Sequence, residues 1–124
     1  METVEESYHF GPLVGEVQIT QLRSVAFNEQ CLSVTSTDND ATGLRMHAGA
    51  NVCIRFLATF CQNVLSSSKT CVELGCGTGV VGLAAARSAK HLIKNLILTD
   101  GDERALRLAT LNAEVIGSLF ACHN

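Results

Sequence analysis

The chain has 124 residues, of which 47% are hydrophobic and 17% are charged, and its formal net charge is −3 at pH 7. That length is typical of a single domain, and the hydrophobic share is sufficient for a buried core. The acidic balance and the scattered lysines and arginines exclude the basic surface that nucleic-acid binding requires. No apolar stretch reaches the length needed to cross a bilayer, so no membrane partner is predicted.

Six cysteines are spread along the chain without C-x-x-C spacing; they are Cys31, Cys53, Cys61, Cys71, Cys76 and Cys122. Several of them lie in apolar runs, where a free cysteine behaves as a small hydrophobic residue. The four histidines are far apart in the sequence, and the first residues are acidic, unlike the basic start of a targeting segment. We therefore expect reduced thiols, no metal site, and a cytoplasmic location or one in both the cytoplasm and the nucleus.

The N-terminal segment, residues 1–41, is predicted to supply a β-hairpin. Residues 1–9 are polar and are predicted to be frayed, and Gly11-Pro12 signals a turn. Residues 13–19 and 30–35 alternate apolar and polar side chains, so each is predicted to be a strand, and the two are expected to pair. An irregular cover over the core is the alternative.

The second segment, residues 42–69, is predicted to hold a helix from about Ala48 to Leu65. Apolar residues recur at intervals of three and four along one face of it: Val52, Cys53, Phe56, Leu57, Phe60 and Val64. We expect this face to pack against the core. The serines at 66–68 are typical of a linker into the next segment.

The third segment, residues 70–117, carries the functional signal. A short apolar run, Cys71–Leu74, suits a buried strand. Three glycines follow at alternate positions: Gly75, Gly77 and Gly79. A helix over 80–89 and a second apolar run over 95–99 come next, and that run ends in Asp100. Strand, glycine turn, helix, strand and acid make one βαβ unit with a nucleotide-type site at its mouth.

A further helix is predicted to begin at Gly101-Asp102-Glu103 and to end at Gly117. Its apolar side is predicted to contain Ala105, Leu108, Asn112 and Val115, with Leu111 beside them. We expect Asn112 to bond to nearby backbone and to have no catalytic role. Residues 118–124 form a tail, in which 119–122 are expected to begin a third strand.

The glycine turn and Asp100 indicate what the site binds. A helix N-terminus behind such a turn offers unpaired N–H groups and the positive end of a dipole, which suit a pyrophosphate or a carboxylate. Asp100 lies 21 residues beyond Gly79, at a strand end where a carboxylate accepts hydrogen bonds from ribose hydroxyls. The site is therefore predicted to hold an adenosine-bearing cofactor.

The glycines fit two registers, which predict different cofactors. Residues 77–82 match the dinucleotide pattern G-x-G-x-x-G, but the first of these glycines lies two residues past the apolar run. The other register starts with Glu73 on the strand and continues through the three alternate glycines. An acid that faces the ligand repels a pyrophosphate and suits the cationic amino and sulfonium groups of S-adenosylmethionine. We favour this register; an NAD-binding oxidoreductase and a turn that needs glycine only for packing are the alternatives.

Residues 72–82 resemble motif I of the seven-strand S-adenosylmethionine-dependent methyltransferases, in the form typical of methyltransferase family 16, a group of lysine methyltransferases. Leu98-Thr99-Asp100, followed by a helix that reaches Leu111-Asn112, is similar to the second motif of that group. Thr42-Gly43 and the helix after it are similar to the segment that precedes motif I, and a hairpin ahead of that helix is also typical. The resemblance covers roughly residues 10–116.

The resemblance implies cofactor-binding roles for six residues: Glu73, Gly75, Gly77, Gly79, Asp100 and His47. The first four would hold the methionine end and the backbone of S-adenosylmethionine, and Asp100 would hold its ribose. His47 stands where the group usually has a tryptophan near the cofactor, and it is a candidate cofactor contact. The acceptor that the resemblance implies is a lysine side chain of a protein substrate. Neither a catalytic residue nor an oligomeric state follows from the sequence.

The implied fold class is α/β, the N-terminal half of a Rossmann-like methyltransferase, with a hairpin and a helix before a βαβα unit. The sheet of that group has seven strands, so we expect an incomplete parallel sheet of two strands with both edges unpaired, in a chain truncated at its C-terminus. We expect the strand on the other side of the first one, whose end lines the methyl-transfer site in that group, to be absent. We therefore expect the chain to be inactive alone. A non-catalytic, partner-binding pseudo-methyltransferase is a further alternative.

Overall fold

The computed structural model describes residues 2–23, 42–64, 70–89, 92–116 and 121–123. Within these ranges the chain is an α/β protein with five strands in two sheets, three α-helices and a short 3-10 helix at Thr42–Leu44. In chain order the strands and α-helices are β1 (Thr3–His9), β2 (Glu16–Leu22), α1 (Ala48–Val64), β3 (Thr70–Leu74), α2 (Val80–Ser88), β4 (Asn95–Thr99), α3 (Glu103–Ile116) and β5 (Ala121–His123). None of the described helices is long and apolar enough to cross a membrane.

The second sheet is parallel, with the strand order β3-β4-β5. Helices α2 and α3 make the crossovers that parallel pairing requires. The predicted βαβ unit is thereby confirmed, and so is the start of a third strand. The expectation that both strands of the unit have unpaired edges is wrong for β4, because β5 pairs with it. Among the described residues, β3 has a partner on one side only.

The core of this unit lies between the sheet and helices α2 and α3. Leu96 and Leu98 alternate inward from β4 and are buried with Leu83 of α2. Gly82 lets the backbone of α2 approach the sheet closely, since a Cβ atom there would lie 2.8 Å from Leu98 Cδ2 and 3.3 Å from Leu96 Cδ1. On the opposite face of the sheet, Val72 and Leu74 are 54% and 82% exposed. The described helices therefore cover one face of a sheet whose strands are apolar on both faces.

The first sheet is a hairpin, but its strands differ from those predicted. β1 covers residues predicted to be frayed, and it pairs antiparallel with β2 along its whole length. β2 begins at Glu16, later than predicted, because residues 12–14 form the turn between Gly11 and Gly15, whose φ angles are 86° and 78°. The predicted strand at 30–35 lies outside the described residues.

The polar strand β1 is ordered by partners that are distant in sequence. Gln21 is fully buried, and its Nε2 donates to Glu6 Oε2 at 2.8 Å and to the Tyr8 hydroxyl at 2.6 Å. Phe10 and Ile19 are buried in a cluster with residues of α1 and α2. Burial and paired polar groups together stabilise a segment whose own composition predicts fraying.

Helix α1 packs by a different face from the one predicted. Its buried residues include Ala50 and Ile54, which lie in one cluster with Val80 and Ala84 of α2. Three large apolar residues of the predicted face are instead exposed: Val52 at 69%, Phe56 at 52% and Phe60 at 45%. The prediction is therefore wrong for these three residues, and it is confirmed for Leu57, which packs partly buried against the core. The helix has apolar residues on two sides, and the side with Ala50 and Ile54 is the one that packs against Val80 and Ala84 of α2.

Helix α3 begins as predicted, and three of the four residues predicted for its apolar side are buried. Asp102 caps it, since the backbone N–H of Arg104 donates to Asp102 Oδ1 at 2.9 Å. Hydrogen bonds from the Arg104 side chain hold the pKa of Asp102 below its usual range. Ala105, Leu108 and Asn112 are buried as predicted, but Leu111 and Val115 are 46% and 62% exposed. The buried positions fall on two adjoining sides: Ala105, Leu106, Leu108, Ala109, Asn112 and Ala113.

Candidate functional site

A cavity of about 380 Å³ lies at the carboxyl end of β3, and its size is typical of a small-molecule site. Its first wall is formed by residues just before α1 and in its first turns: Thr42, Gly43, Arg45, Met46, His47, Gly49, Ala50 and Cys53. Its second wall is the end of β3, the glycine turn and the start of α2: Glu73, Gly75, Cys76, Gly77, Thr78, Val80 and Val81. The fold thus brings the segment before and at the start of α1 and the glycine-turn segment together at one site.

The glycine turn has the backbone that its sequence predicts, because Gly75, Gly77 and Gly79 all have positive φ, at 66°, 54° and 77°. Gly77 is also the point where the two walls touch. A Cβ atom at Gly77 would lie 2.8 Å from the carbonyl oxygen of Gly43. At Gly75 a Cβ atom would meet nothing within 4 Å. Position 77 therefore needs glycine for two reasons, and position 75 for one.

Gly79 has a different environment from the other two glycines. It is buried, and a Cβ atom there would lie 3.0 Å from Leu98 Cδ1 and 3.1 Å from Ala109 Cβ. Its N–H donates to the carbonyl of Cys76 at 2.8 Å, which closes the turn before α2. Gly79 therefore stabilises the turn on the side that faces the core, and it is not among the residues that line the cavity.

Asp100 holds the glycine turn against the end of β4. Its Oδ2 accepts the N–H of Gly77 at 2.8 Å, and its Oδ1 accepts the N–H of Asp102 at 2.9 Å. A carboxylate has about four acceptor sites, so these two bonds leave capacity for ribose hydroxyls. Asp100 does not line the cavity itself, but it is hydrogen-bonded to Gly77, which does.

Glu73 lines the cavity and reaches the first turn of α2. Its Oε2 accepts the N–H of Gly82 at 2.9 Å, one of the first-turn donors for which a helix has no internal partner. Burial raises the pKa of Glu73 to about 7; the Gly82 bond opposes this rise, and the charge of Asp100 adds to it. A carboxyl group therefore occupies the helix N-terminus at which a pyrophosphate would bind.

Replacing Gly82 by alanine is expected to destabilise the protein, although alanine normally stabilises a helix relative to glycine. The added Cβ would overlap Glu73 Oε2 and would lie 2.8 Å from Leu98 Cδ2. We expect a loss of about 1–3 kcal/mol, as for other overpacked core sites, measured by urea denaturation. The matched control is Gly49→Ala in α1, where the neighbour is the movable ring of the exposed His47. Equal effects of the two substitutions would contradict the assigned contact.

His47 lies in the first wall, as its position before α1 predicts. Its side chain is exposed, and its Nδ1 would lie 3.0 Å from a Cβ atom at Gly49. Beside it, the guanidinium of Arg45 donates to the carbonyl of Leu22 and lies 3.8 Å from Glu6 Oε1. The sequence did not single out Arg45, because its partners Leu22 and Glu6 lie 23 and 39 residues earlier in the hairpin.

Asn112 contacts the second wall of the cavity, a role that the sequence did not predict. It was predicted to bond to nearby backbone, but it bonds to the backbone of Thr20 and Thr78, which are 92 and 34 residues away. The signal that could have identified it is its position, since a polar side chain on the buried side of a helix requires a specific partner.

Comparisons with known proteins agree with the motifs at this site. The family model described as lysine methyltransferase, methyltransferase family 16, matches residues 26–121. Comparisons with curated proteins and with solved structures each found no match. The matched range includes both walls of the cavity, the glycine turn and Asp100. The chain therefore belongs to family 16 of the S-adenosylmethionine-dependent lysine methyltransferases.

Proposed function

We propose that the described residues are the cofactor-binding part of a Rossmann-like protein-lysine methyltransferase and that S-adenosylmethionine binds in the cavity between the two walls. The observation that carries this proposal is the Glu73 carboxyl group, which lies beside the cavity at the N-terminus of α2. A negative charge at this point favours an ammonium and a sulfonium group and disfavours the pyrophosphate of NAD.

Each predicted residue then has a role that its position supports. Glu73 and the turn from Gly75 to Gly77 would hold the methionine end, while Gly79 keeps the turn in shape. Asp100 would accept the ribose hydroxyls, and His47 would contact the cofactor from the first wall. When bound, S-adenosylmethionine supplies a methyl group on a positively charged sulfur.

The acceptor that we propose is the amine of a lysine on a protein, in a cytoplasmic or nuclear setting. Methyl transfer requires that a neutral amine be aligned behind the methyl group and shielded from water. In open α/β sheets the groups that do this come from both sides of the crevice at the strand ends. The described residues supply the side formed by β3, β4 and β5, so we propose that this chain alone binds cofactor without transferring methyl groups.

The first test is a calorimetric titration with S-adenosylhomocysteine, with NAD in a parallel experiment. We expect saturable binding of S-adenosylhomocysteine, weakened about 10- to 100-fold in Asp100→Ala, because hydrogen bonds to a charged group contribute about 1.5–3 kcal/mol. Asp102→Ala is the matched control, since it removes a carboxylate two residues away that caps α3 and does not line the cavity.

The titration also separates the alternative functions. Binding of NAD without S-adenosylhomocysteine would assign the chain to the oxidoreductases. Transfer of a radiolabelled methyl group to any protein, at a rate lost in Asp100→Ala, would refute the proposed inactivity. Cofactor binding without turnover, together with a stable partner in a pull-down, would indicate a non-catalytic binding module.

A further inference from the structure

The hairpin reaches both walls of the cavity through two buried side-chain amides. We propose that Gln21 and Asn112 are positioning residues that set the separation of the two walls by tying each wall to strand β2. This inference rests on the proposed function, because it concerns the cavity assigned to the cofactor. Neither residue lines that cavity, so each would act through the backbone that it holds.

Asn112 ties the second wall to β2. It is 1% exposed, its Oδ1 accepts the N–H of Thr20 at 2.7 Å, and its Nδ2 donates to the Thr20 carbonyl at 3.0 Å. These two bonds are the ones that a neighbouring strand would make with Thr20. The same Nδ2 donates to the carbonyl of Thr78 at 2.9 Å. This third bond fixes the peptide plane between Thr78 and Gly79, inside the glycine turn.

Gln21, which follows Thr20 in β2, ties the first wall to this strand. Its side chain is fully buried, and its Oε1 accepts the N–H of Met46 at 2.8 Å. Its Nε2 is held by Glu6 and Tyr8 of β1, so the amide cannot rotate without losing bonds. The bond from Arg45 to the carbonyl of Leu22 is a second tie between this wall and β2.

Consecutive residues of one strand thus hold opposite walls of one cavity. Thr20 is held through its backbone N–H and carbonyl, whereas Gln21 acts through its side-chain amide, so the two ties leave β2 from different groups. The walls already meet where Gly77 approaches the Gly43 carbonyl, and the two amides fix them elsewhere. Breaking either tie leaves buried polar groups unpaired, which favours local opening of the wall concerned. The strand therefore acts as a brace that keeps the cavity at one width.

Cysteine reactivity tests this brace without any ligand. Cys76 is 6% exposed and lies in the second wall, whereas Cys71 lies in β3 and does not line the cavity. Iodoacetamide labelling followed by peptide mass spectrometry gives a rate for each thiol. We expect Asn112→Ala and Gln21→Ala to raise the Cys76 rate at least tenfold and the Cys71 rate much less, because the walls open locally. Global unfolding would accelerate both.

The control is Ile93→Ala, a buried core substitution outside both walls. It is expected to destabilise the fold while leaving the ratio of the two labelling rates near that of the unaltered chain. The inference is overturned if Asn112→Ala and Gln21→Ala change that ratio no more than Ile93→Ala does.

Hydrogen exchange of the unaltered chain gives a second measurement that does not depend on whether the variants fold. The N–H groups of Met46 and Thr20, which the two amides hold, are expected to show closely similar opening free energies. Independent opening of these two groups would also overturn the brace. Added S-adenosylhomocysteine should slow Cys76 labelling; if it does not, the proposed function fails, while the comparison of variants still decides the brace.

Discussion

Replacing Gly77 by alanine is expected to lower the free energy of unfolding by about 2–5 kcal/mol and to abolish cofactor binding. About 1–2 kcal/mol comes from forcing an L-residue into the left-handed region, where the φ angle of Gly77 is 54°. The remainder, about 1–3 kcal/mol, comes from the new methyl group. It would lie 2.8 Å from the Gly43 carbonyl, a backbone group that cannot rotate away. The first wall must therefore move off the second.

The matched control is Gly75→Ala. Its φ angle is similar, at 66°, but its Cβ would meet nothing within 4 Å. This variant should lose about 1–2 kcal/mol from strain alone and should keep its fold. Urea denaturation of both variants, with S-adenosylhomocysteine titration of those that fold, measures the difference. Equal losses for the two variants would mean that the walls do not touch at Gly77.

The parts of the site that the sequence predicted are those encoded by neighbouring residues. The glycine turn follows from alternate glycines after a short apolar run, and the βαβ unit follows from hydrophobic periodicity. Placement of Asp100 beside that turn follows from topology, since the ends of adjacent parallel strands lie at one edge of a sheet. These features need no knowledge of distant contacts.

The parts that the sequence did not predict depend on partners far along the chain. β1 is polar, and it is ordered by the buried amide of Gln21, whose bonds to Glu6 and Tyr8 no local pattern reveals. Helix α1 packs against Val80 and Ala84 of α2 through Ala50 and Ile54, and the larger side chains of Phe56 and Phe60 stay exposed. Periodicity identifies an apolar face, but the shape of the partner decides which face is used.

The pKa of Glu73 makes stability and cofactor binding depend on pH in opposite directions. The value of about 7 in the folded protein lies above the usual 4.5 of a glutamate, so the folded state holds a proton that the unfolded state releases. The free energy of unfolding should therefore fall as pH rises from about 5 to 7 and should level off above it. Over this range the loss is about 2–3 kcal/mol. Cofactor binding needs the ionised carboxylate and should strengthen over the same range.

Replacing Glu73 by glutamine separates these two effects. The amide oxygen can still accept the Gly82 N–H, but no charge is left to bury, so the fall in stability between pH 5 and 7.5 should disappear. At pH 8 the variant should bind S-adenosylmethionine at least tenfold more weakly, a difference of about 1.4 kcal/mol. S-adenosylhomocysteine, which lacks the sulfonium charge, should be affected less. Urea denaturation across pH and calorimetry with both ligands measure these effects.

The outcome of this substitution decides what the acid at the end of β3 is for. If it served only to cap α2, glutamine would preserve its bond to Gly82, and both ligands would bind as before. If it recognises the cationic end of the cofactor, stability at high pH and affinity must change in opposite directions. A buried carboxyl group that destabilises the folded protein at neutral pH is then explained by its ligand, because functional sites are where such a cost is retained.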